Sequence, residues 1–435
     1  MFRRRHDRLL GLAGACAVLV ALGSAPAEAA PGDLDPSYGA GGSADVLGNV
    51  DFVDVAVQPD GKAVAVGTAR DPATPSRFLV ARLRTDGSLD GTFGAGGLVT
   101  TTFGARQAAG AWAVAIQPDG RIVVAGEASL GNAMVAVARY LPNGDLDPSF
   151  HHDGKVLTDV SVGTDQARAV ALSPRGKIVV AGRGGHPGEE NPSGDLLAVR
   201  YHPDGTRDRT LGRRGWVTHD VLGHGDTAWG VAVTPRGRLV LSGEAETGDG
   251  VGVAFTHAVV LRLSNDGRRD RGFSGDGTAL FGPRSGLAGF TGVALGPNGG
   301  ILVAGRADDR PDGVLLRYGR GGAPDPAFGA GDGIAEFDVT PGTDDLADFA
   351  RTSGDRIVVA GSAGIVDGRG ALAVGRLLPD GSPDPTFDED GYAVTGSDRT
   401  ARAVTLQGDT RLLLAGSVFA PPAQRGAFVM RVLLR

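Results

Sequence analysis

Short runs of Val, Ile, Leu and Ala recur along the chain, and each ends at a turn rich in Gly, Pro and Asp. In one copy, residues 167–172 form an apolar run, a turn follows at 173–176, and residues 177–182 form a second run. A third run covers residues 196–201, and a sister copy shows a fourth at 154–160. Runs this short between turns are typical of β-strands. Four strands per unit indicate the blade of a β-propeller.

The unit recurs seven times, and each copy is marked by an Asp that is followed three residues later by an aromatic residue in six copies and by Leu in one. The Asp column steps by 55 to 62 residues. A fixed period of this size predicts a repeat array or a closed ring. The Asp column is Asp35, Asp90, Asp147, Asp208, Asp270, Asp325 and Asp384, and the second column is Tyr38, Phe93, Phe150, Leu211, Phe273, Phe328 and Phe387.

A Gly stands at one position of the second strand in every copy. Gly inside a strand indicates a bulge or a close backbone approach, and we expect it to make room for the neighbouring blade. The column is Gly67, Gly126, Gly182, Gly243, Gly305, Gly361 and Gly416.

The two ends of the chain fall at different points of the four-strand unit. Beyond residue 29 the chain opens with the Asp signature and a fourth-type strand at 42–47, and it closes with three strands only, at 401–406, 411–415 and 427–434. We predict that the N-terminal strand completes the last blade and closes the ring, which removes exposed edge strands. The predicted fold is all-β: a seven-bladed β-propeller of four-stranded antiparallel blades.

The first 29 residues predict a cleavable secretory signal peptide. A basic start with Arg3, Arg4 and Arg5 precedes an apolar stretch at 9–22, and Ala27-Glu28-Ala29 supplies a small-x-small cleavage pattern. The apolar stretch is too short for a comfortable membrane span. We therefore expect a secreted or cell-surface protein, with residues 30–435 forming a single propeller domain.

Charge and cysteine content narrow the class of partner. The net charge of −7 argues against binding to a phosphate backbone, but not against a sugar or a protein partner. The only cysteine, Cys16, lies in the predicted signal peptide, so the exported chain would depend on its core and not on disulfides. We expect a monomer whose partner is a protein or a glycan, with no nucleic acid and no membrane span after export.

Two motifs resemble those of the bacterial delta-60 repeat family. One is Asp-Pro-Thr-Phe at 384–387, with a variant at 325–328, and the other is the Gln-Pro-Asp-Gly-Arg-Ile-Val-Val-Ala-Gly segment at 117–126. The resemblance implies an exported bacterial propeller without an assigned activity, and it implies no catalytic residue. Copies depart from the motif at 207–211 and at 353–355, so we expect less regular blades there.

The two faces of the predicted ring differ in regularity. Loops from strand two to three, and from strand four to the next strand one, share a face, and these loops vary between copies, whereas the repeated turns occupy the other face. This contrast predicts one binding surface presented by a scaffold. The loops between strands two and three cover residues 70–77, 183–195, 244–257, 308–313, 364–370 and 419–426.

The sharper candidates for ligand binding lie on the first strand of each copy, near the predicted axis. The charged ones would grip a polar ligand at the funnel mouth, and the two Trp residues would stack on a sugar. The alternative is inter-blade packing for the Trp residues and surface salt bridges for the charged ones. The candidates are Asp54, Trp112, Arg168, Trp229, Asp348 and Arg402.

Metal chemistry has weaker support. The repeated Asp is better explained as a cap of backbone N–H groups, because it stands next to Pro and a turn Gly. Residues 388–391 and 332–333 look like fragments of calcium loops but lack the other ligands. A Gly-rich loop is a poor zinc cage, although one carries His219, Asp220, His224 and Asp226. We predict no metal and no cofactor, with calcium left as an alternative.

The leading hypothesis is an exported, non-catalytic binding or scaffold propeller that recognises a protein or a glycan through its variable loops. The alternative is a secreted hydrolase or lyase acting on a sugar or a lactone, with carboxylates and a divalent ion at the axial funnel. A third hypothesis, a purely structural surface repeat protein, predicts a variable face without a pocket. The sequence contains no Gly-x-Ser-x-Gly nucleophile motif, so no catalytic residue is assigned.

Overall fold

A computed structural model of the chain describes residues 29–161, 163–185, 194–248, 254–282, 288–307, 312–366, 369–395, 399–420 and 424–435. Within these ranges, seven four-stranded antiparallel sheets form the blades of a propeller. The innermost strand of each blade contacts the innermost strands of both neighbours, and the last blade contacts the first. The predicted fold class is therefore confirmed. The predicted signal peptide lies outside the described residues except for Ala29.

The strands follow one another from the axis outwards in each blade. Blade 1 has β2 (Val50–Val57), β3 (Ala63–Asp71), β4 (Thr74–Leu83) and β5 (Leu98–Thr101); blade 2 has β6 (Ala108–Ile116), β7 (Ile122–Leu130), β8 (Asn132–Tyr140) and β9 (Lys155–Thr158). Blade 3 has β10 (Gln166–Leu172), β11 (Ile178–Gly184), β12 (Asp195–Tyr201) and β13 (Trp216–His219); blade 4 has β14 (Asp226–Val233), β15 (Leu239–Gly248), β16 (Ala254–Leu263) and β17 (Thr278–Phe281).

Blades 5 to 7 continue the series. Blade 5 has β18 (Ala288–Leu295), β19 (Ile301–Ala307), β20 (Gly313–Tyr318) and β21 (Ile334–Phe337); blade 6 has β22 (Asp345–Arg351), β23 (Ile357–Val366), β24 (Arg369–Leu377) and β25 (Tyr392–Thr395). Blade 7 has β26 (Arg399–Leu406), β27 (Arg411–Ala420), β28 (Gln424–Leu433) and, on its outside, β1 (Ser43–Leu47). A 3-10 turn (Pro297–Gly299) and one helical turn, α1 (Asp388–Gly391), interrupt the strands.

The N-terminal strand closes the ring as predicted. β1 pairs antiparallel with β28, from Ser43 opposite Met430 to Leu47 opposite Gly426. Two ion pairs across the same seam add to the backbone ladder. Asp45 lies 2.9 Å from Arg399, and Asp35 lies 2.9 Å from Arg431. The outermost strand of the last blade thus comes from the beginning of the chain.

The hydrophobic core lies between the blades. Seven clusters of buried side chains fill the seven interfaces between neighbouring blades. Between blades 1 and 2, for example, Val64 and Val66 pack with Ala109 and Ala111. Small and β-branched residues suit these flat interfaces, since sheets pack face to face about 10 Å apart.

Each innermost strand contains a β-bulge at the same position, and the Gly column makes the bulge possible. In blade 6 the pairing shifts between Leu346 and Asp348, and a Cβ on Gly361 would lie only 1.8 Å from the carbonyl oxygen of Asp345. The close approach is therefore to strand one of the same blade, and not to the neighbouring blade as expected. The bulged residues are Val53, Trp112, Arg168, Trp229, Thr291, Ala347 and Arg402.

The repeated Asp joins the turn to neighbouring Arg side chains by hydrogen bonds and ion pairs on the turn face. We call this arrangement the lock. In blade 6, Oδ1 of Asp384 accepts hydrogen bonds from the backbone N–H and hydroxyl of Thr386. Its Oδ2 accepts hydrogen bonds from Nε of Arg376 and Nε of Arg356, each at 2.8 Å. The Arg376 guanidinium also lies 5.0 Å from the centre of the Phe387 ring and donates to the Leu434 carbonyl of blade 7. The lock thus fixes the turn and joins two blades.

The same lock occurs in all seven blades, which confirms the structural interpretation of the Asp column. The copy with Leu211 in place of the aromatic residue keeps it, with Arg200 at 2.6 Å from Asp208, so the expected irregularity of this blade is absent. The Arg partner was not predicted from the sequence. The other pairs are Arg82–Asp90, Arg139–Asp147, Arg262–Asp270, Arg317–Asp325 and Arg431–Asp35.

Candidate functional site at the axial mouth

The seven bulged residues lie near the start of the innermost strands, at the end of the ring where the variable loops arrive. We call this end the axial mouth. A bulge turns the side chain of the extra residue away from the regular alternation of the strand. The seven blades therefore present side chains of five residue types at one height around the axis, and three of the predicted site residues stand there in consecutive blades.

The Arg168 side chain of blade 3 lies between two indole rings from the neighbouring blades. Its guanidinium carbon is 3.8 Å from the centre of the Trp112 ring and 5.0 Å from that of Trp229. Cation–π contacts of this kind contribute about 0.5–2 kcal/mol each. Nη2 of Arg168 also donates a 2.7 Å hydrogen bond to the Gln166 side chain. The structure thus brings three predicted candidates into one stack, which also satisfies the packing alternative.

The stack contains polar atoms that have no partner within the described part of the chain. They are Nε and Nη1 of Arg168, Nε1 of Trp112 and, beside them, Oε2 of Glu127. A buried polar group without a hydrogen bond costs about 1–3 kcal/mol. Proteins rarely retain several of them together unless water or a ligand completes the bonds. The stack is therefore an incomplete polar site as well as a packing contact.

A belt of alternating charges surrounds the stack. The position after the column Gly holds Glu127, Arg183, Glu244 and Arg306 in blades 2 to 5, but Thr68, Ser362 and Ser417 in the other three blades. Burial lowers the pKa of Arg168, and the charge of Glu127 opposes this shift. Burial also raises the pKa of Glu244, whose carboxylate accepts a hydrogen bond from the Trp229 indole. The charged side chains at this position are thus confined to blades 2 to 5.

Asp54 and Asp348 are half-buried in seams between blades. Asp54 accepts the backbone N–H of Val114 from the next blade at 2.7 Å, and Asp348 accepts that of Val404 at 2.9 Å. Burial raises the pKa of Asp54 to about 7, to which the charge of Asp348 contributes, and burial raises the pKa of Asp348 to about 6. The charge of Asp348 thus acts on Asp54, and both carboxylates accept hydrogen bonds from the backbone of the next blade.

The predicted grip by Asp54, Arg168, Asp348 and Arg402 stays a prediction. The charges that act on Arg168 are those of Glu127, Arg183 and Glu244. Arg402 stands exposed at the bulge of blade 7, four blades further along the ring. The signal for the belt was present in the sequence as the residue after each column Gly, but only the fold shows that this position lies next to the bulge, opposite the residue two before it.

A group of carboxylates that was not predicted lies beside the loop that enters blade 6: Asp338 and Asp344 belong to this loop, and Asp312 directly precedes β20 of blade 5. Asp312, Asp338 and Asp344 each place an oxygen within 4.8 Å of the other two. Asp344 caps its own loop, because it accepts N–H bonds from Val339 and Gly364. Burial raises the pKa of Asp312, and the three nearby acidic charges raise it further. An Asp-x5-Asp spacing before the innermost strand, repeated at 220–226 and 159–165, was the available signal.

The segments predicted as weak metal candidates have other roles among the described residues. His219 Nε2 lies 2.9 Å from the Gly267 carbonyl, and Asp226 accepts the Val221 N–H. In the two calcium-like fragments, Asp390 accepts the N–H of Tyr392 and Asp332 that of Ile334, each at 2.9 Å. These carboxylates cap the turns that lead into the next strand.

None of the helices in the described part of the chain has the length and apolarity needed to cross a membrane. This agrees with the all-β architecture, in which α1 spans four residues.

Comparison with known proteins supports the repeat and the fold. A family model described as a domain of unknown function (DUF5122) beta-propeller matches residues 58–93, 117–150, 176–211 and 355–387. Each match runs from the turn after the innermost strand to the signature aromatic position, which is Leu211 in blade 3. No curated protein sequence is similar enough to count as a relative.

Several solved structures are similar at low identity. They include a protein of unknown function from Dyadobacter fermentans (12% identity, TM-score 0.44, 89% of this chain and 99% of that chain). A polysaccharide lyase of family PL25, an ulvan lyase, has 12% identity and a TM-score of 0.46 over 92% and 96% of the two chains. Drosophila Semaphorin 2a has 8% identity and a TM-score of 0.46 over 94% and 76%. Values this low carry no information about activity. The repeat matches and the seven blades together make this chain a β-propeller repeat protein.

Proposed function

We propose that this protein is a non-catalytic binding propeller that recognises a glycan at the axial mouth. The Trp112–Arg168–Trp229 stack carries the proposal, because it combines indole rings with polar atoms that have no partner. Binding sites are typically apolar surfaces with a few oriented polar groups. Aromatic rings beside hydrogen-bonding groups suit the alternating apolar and hydroxyl faces of a sugar.

The mixture of charges favours a neutral sugar over a simple anion. Arg168 and Trp112 offer donors, whereas Glu127 and Glu244 offer acceptors. A sugar hydroxyl both donates and accepts, so it can complete both kinds of group. An anion would match Arg168 but would meet the repulsion of the two carboxylates. The proposed ligand is therefore an uncharged segment of a glycan.

The three tryptophans of the chain allow a direct test. Trp216 is the one outside the mouth, 8% exposed on β13, so a Trp216→Phe background restricts indole fluorescence to Trp112 and Trp229. We expect a neutral glycan selected from an array to change this fluorescence, and Trp112→Ala to weaken binding at least tenfold. Val53→Ala, at the same bulge in blade 1, is the matched control and should bind normally. Absence of binding across a broad array of glycans and cell-wall fragments would contradict the proposal.

A second candidate function is supported by the two seam carboxylates. Asp54 and Asp348, with pKa values raised to about 7 and about 6, could exchange protons near neutral pH. This property suits a hydrolase or lyase acting on a sugar or a lactone. If it holds, Asp54→Asn and Asp348→Asn should abolish turnover of a bound substrate without loss of binding. If glycans that bind to the wild type stay chemically unchanged, the binding function alone is supported.

We further propose that the protein is exported after removal of residues 1–29, acts as a monomer without a cofactor, and is built of delta-60 repeats. The basic start and the small-x-small pattern at 27–29 support export. Mass spectrometry of the protein from its native host should give a chain starting at residue 30. Light scattering should give the mass of one copy.

A further inference from the structure

The turn face of blades 3 and 4 departs from the repeat in its charge. In the turn between the two inner strands, these blades carry Arg175 and Arg236, whereas the first two blades carry Asp60 and Asp119. Directly after the column Asp they carry Arg209 and Arg271, where the other copies have Pro or Gly. The same positions change in both blades, so Arg175 and Arg236 occupy equivalent turns of adjacent blades, and so do Arg209 and Arg271.

These arginines are exposed and not neutralised. Arg175, Arg236, Arg209 and Arg271 are all exposed, and within the described residues no carboxylate lies within ion-pair distance of them. The nearest column carboxylates already have two cations each. Asp208 pairs with Lys177 and Arg200, and Asp270 pairs with Arg262 and Arg238. The region therefore has a local positive charge on a protein of net charge −7. We call it the basic turn face, defined by Arg175, Arg209, Arg236 and Arg271.

A cleft lies between the two inner turns of this face. It has a volume of about 280 Å³, and Pro174, Arg175, Pro235 and Arg236 belong to its walls. The aliphatic side chains of Val179, Val233 and Leu239 also contribute to the lining, together with Lys177. Val179 and Leu239 are fully buried and form the floor of the cleft, so its accessible walls are mainly polar and cationic. It has room for one sugar ring with an acidic substituent.

We propose that the basic turn face binds an acidic polysaccharide, with one acidic sugar in the cleft between Arg175 and Arg236. A guanidinium recognises a carboxylate or a sulfate through paired hydrogen bonds, so each Arg can hold one such group. Arg209 and Arg271 lie on the same two blades and bind further acidic units of the chain. This site is on the opposite face from the axial mouth, and it does not depend on the function proposed there.

The surroundings favour a polysaccharide over a membrane or a nucleic acid duplex. The large hydrophobic side chains that are exposed in the described part of the chain are Leu47, Leu280 and Val394, and all three lie on outer strands and not on these turns. A bilayer contact would gain from apolar anchors beside the cations. A duplex presents an extended charged surface, whereas the cleft accommodates a single ring and the basic residues cover two blades of seven.

The test uses the whole protein and five probes at physiological salt: polygalacturonate, heparin, neutral dextran, vesicles containing phosphatidylglycerol, and duplex DNA. We expect binding to polygalacturonate or heparin and not to dextran, vesicles or DNA. The double variant Arg175→Asp, Arg236→Asp restores the residue type of the sister turns, so it should fold. We expect it to weaken binding at least tenfold and to reduce the dependence of log Kd on log salt.

The control variant Arg84→Ala, Arg106→Ala removes two exposed arginines from other parts of the molecule and should bind the acidic polymers like the wild type. Trp112→Ala should also leave this binding unchanged, which separates the site from the axial mouth. Equal losses in both double variants, binding to neither acidic polymer, or binding to vesicles or DNA at least as tight as that to the acidic polymers would overturn the proposal.

Discussion

The turn-face lock and the axial mouth occupy two ends of the same blades. They differ in how many of their polar groups have hydrogen-bond partners. In the lock of blade 6, both oxygens of Asp384 accept two hydrogen bonds each. At the mouth, two nitrogens of Arg168 have no partner among the described residues. The lock repeats in every blade, whereas the bulged residue at the mouth is of five types among the seven blades.

This contrast indicates where function can reside in a repeat protein. A residue that repeats with every bond completed stabilises the scaffold and has little capacity left for a ligand. A residue that does not repeat, and whose polar atoms lack hydrogen-bond partners, can still form hydrogen bonds with a ligand. The basic turn face shows that the distinction follows the residues and not the face, since blades 3 and 4 carry unneutralised Arg residues among the repeated turns.

The largest expected effect concerns the Gly column that supports the mouth. In Gly361→Ala the new Cβ would lie 1.8 Å from the Asp345 carbonyl oxygen, so the bulge must be rebuilt. We expect a loss of about 4 kcal/mol in the free energy of unfolding, measured by denaturant titration. The control Gly91→Ala has open space around its Cβ and should change stability little. If both variants were equally stable, the bulge would not depend on the column Gly.

A smaller effect should separate the two arginines of one lock. Arg376 and Arg356 lie at the same distance from Asp384, but their side chains are 9% and 46% exposed. Arg376→Ala should cost about 2–3 kcal/mol, because it leaves a buried carboxylate with one exposed partner. Arg356→Ala should cost less than about 1 kcal/mol. Similar losses in the two variants would show that burial does not set the strength of the lock.

The smallest effect is a pH dependence of opposite sign at the two ends. Burial would raise the pKa of Asp384, but its hydrogen bonds and the Arg376 charge lower it to about 2, so its stabilising contribution is lost as pH falls from 4 towards 2. The pKa of Asp54 is raised to about 7, so its contribution is complete at low pH and is lost as pH rises towards 7.

Asp54→Asn should therefore be about 1 kcal/mol more stable than the wild type at pH 8, and indistinguishable from it at pH 4, in thermal unfolding. The Asn side chain can still accept the Val114 N–H, which keeps the seam closed. A variant that is less stable at every pH would show that the carboxylate is needed in its charged form.

Much of the scaffold could be predicted because it depends on local patterns. The turn Gly residues and the apolar runs define the strands, and the phase of the two ends predicted the pairing of β1 with β28. The Asp column was correctly interpreted as a cap, but its Arg partner eight residues earlier was missed, because the contact crosses a turn whose geometry the sequence does not display. The Gly column was expected to make room for the neighbouring blade, but it makes room for strand one of its own blade. The sequence does not display this close approach of the two strands.

The candidate site was predicted only as a set of residue types on one strand. The sequence placed Trp112, Arg168 and Trp229 in one column, but it could not show that Arg168 lies between the two rings. It also could not show that Asp54 and Asp348 bond to the backbone of the next blade. These contacts join residues about 60 positions apart, and such distances are set by how the blades pack.

The number of blades, their strands and the closure of the ring follow from the chain alone, because period, turn chemistry and phase are visible along it without any atomic position. Which polar atoms have a hydrogen-bond partner, and which have none, depends on how the blades pack in the folded ring. Hydrogen bonds of side chains depend on atomic positions in adjacent blades, and a bulge of one residue changes the direction of a side chain without changing the pattern of the strand. The lock could be inferred in outline from the chain, whereas the mouth and the basic turn face required the ring.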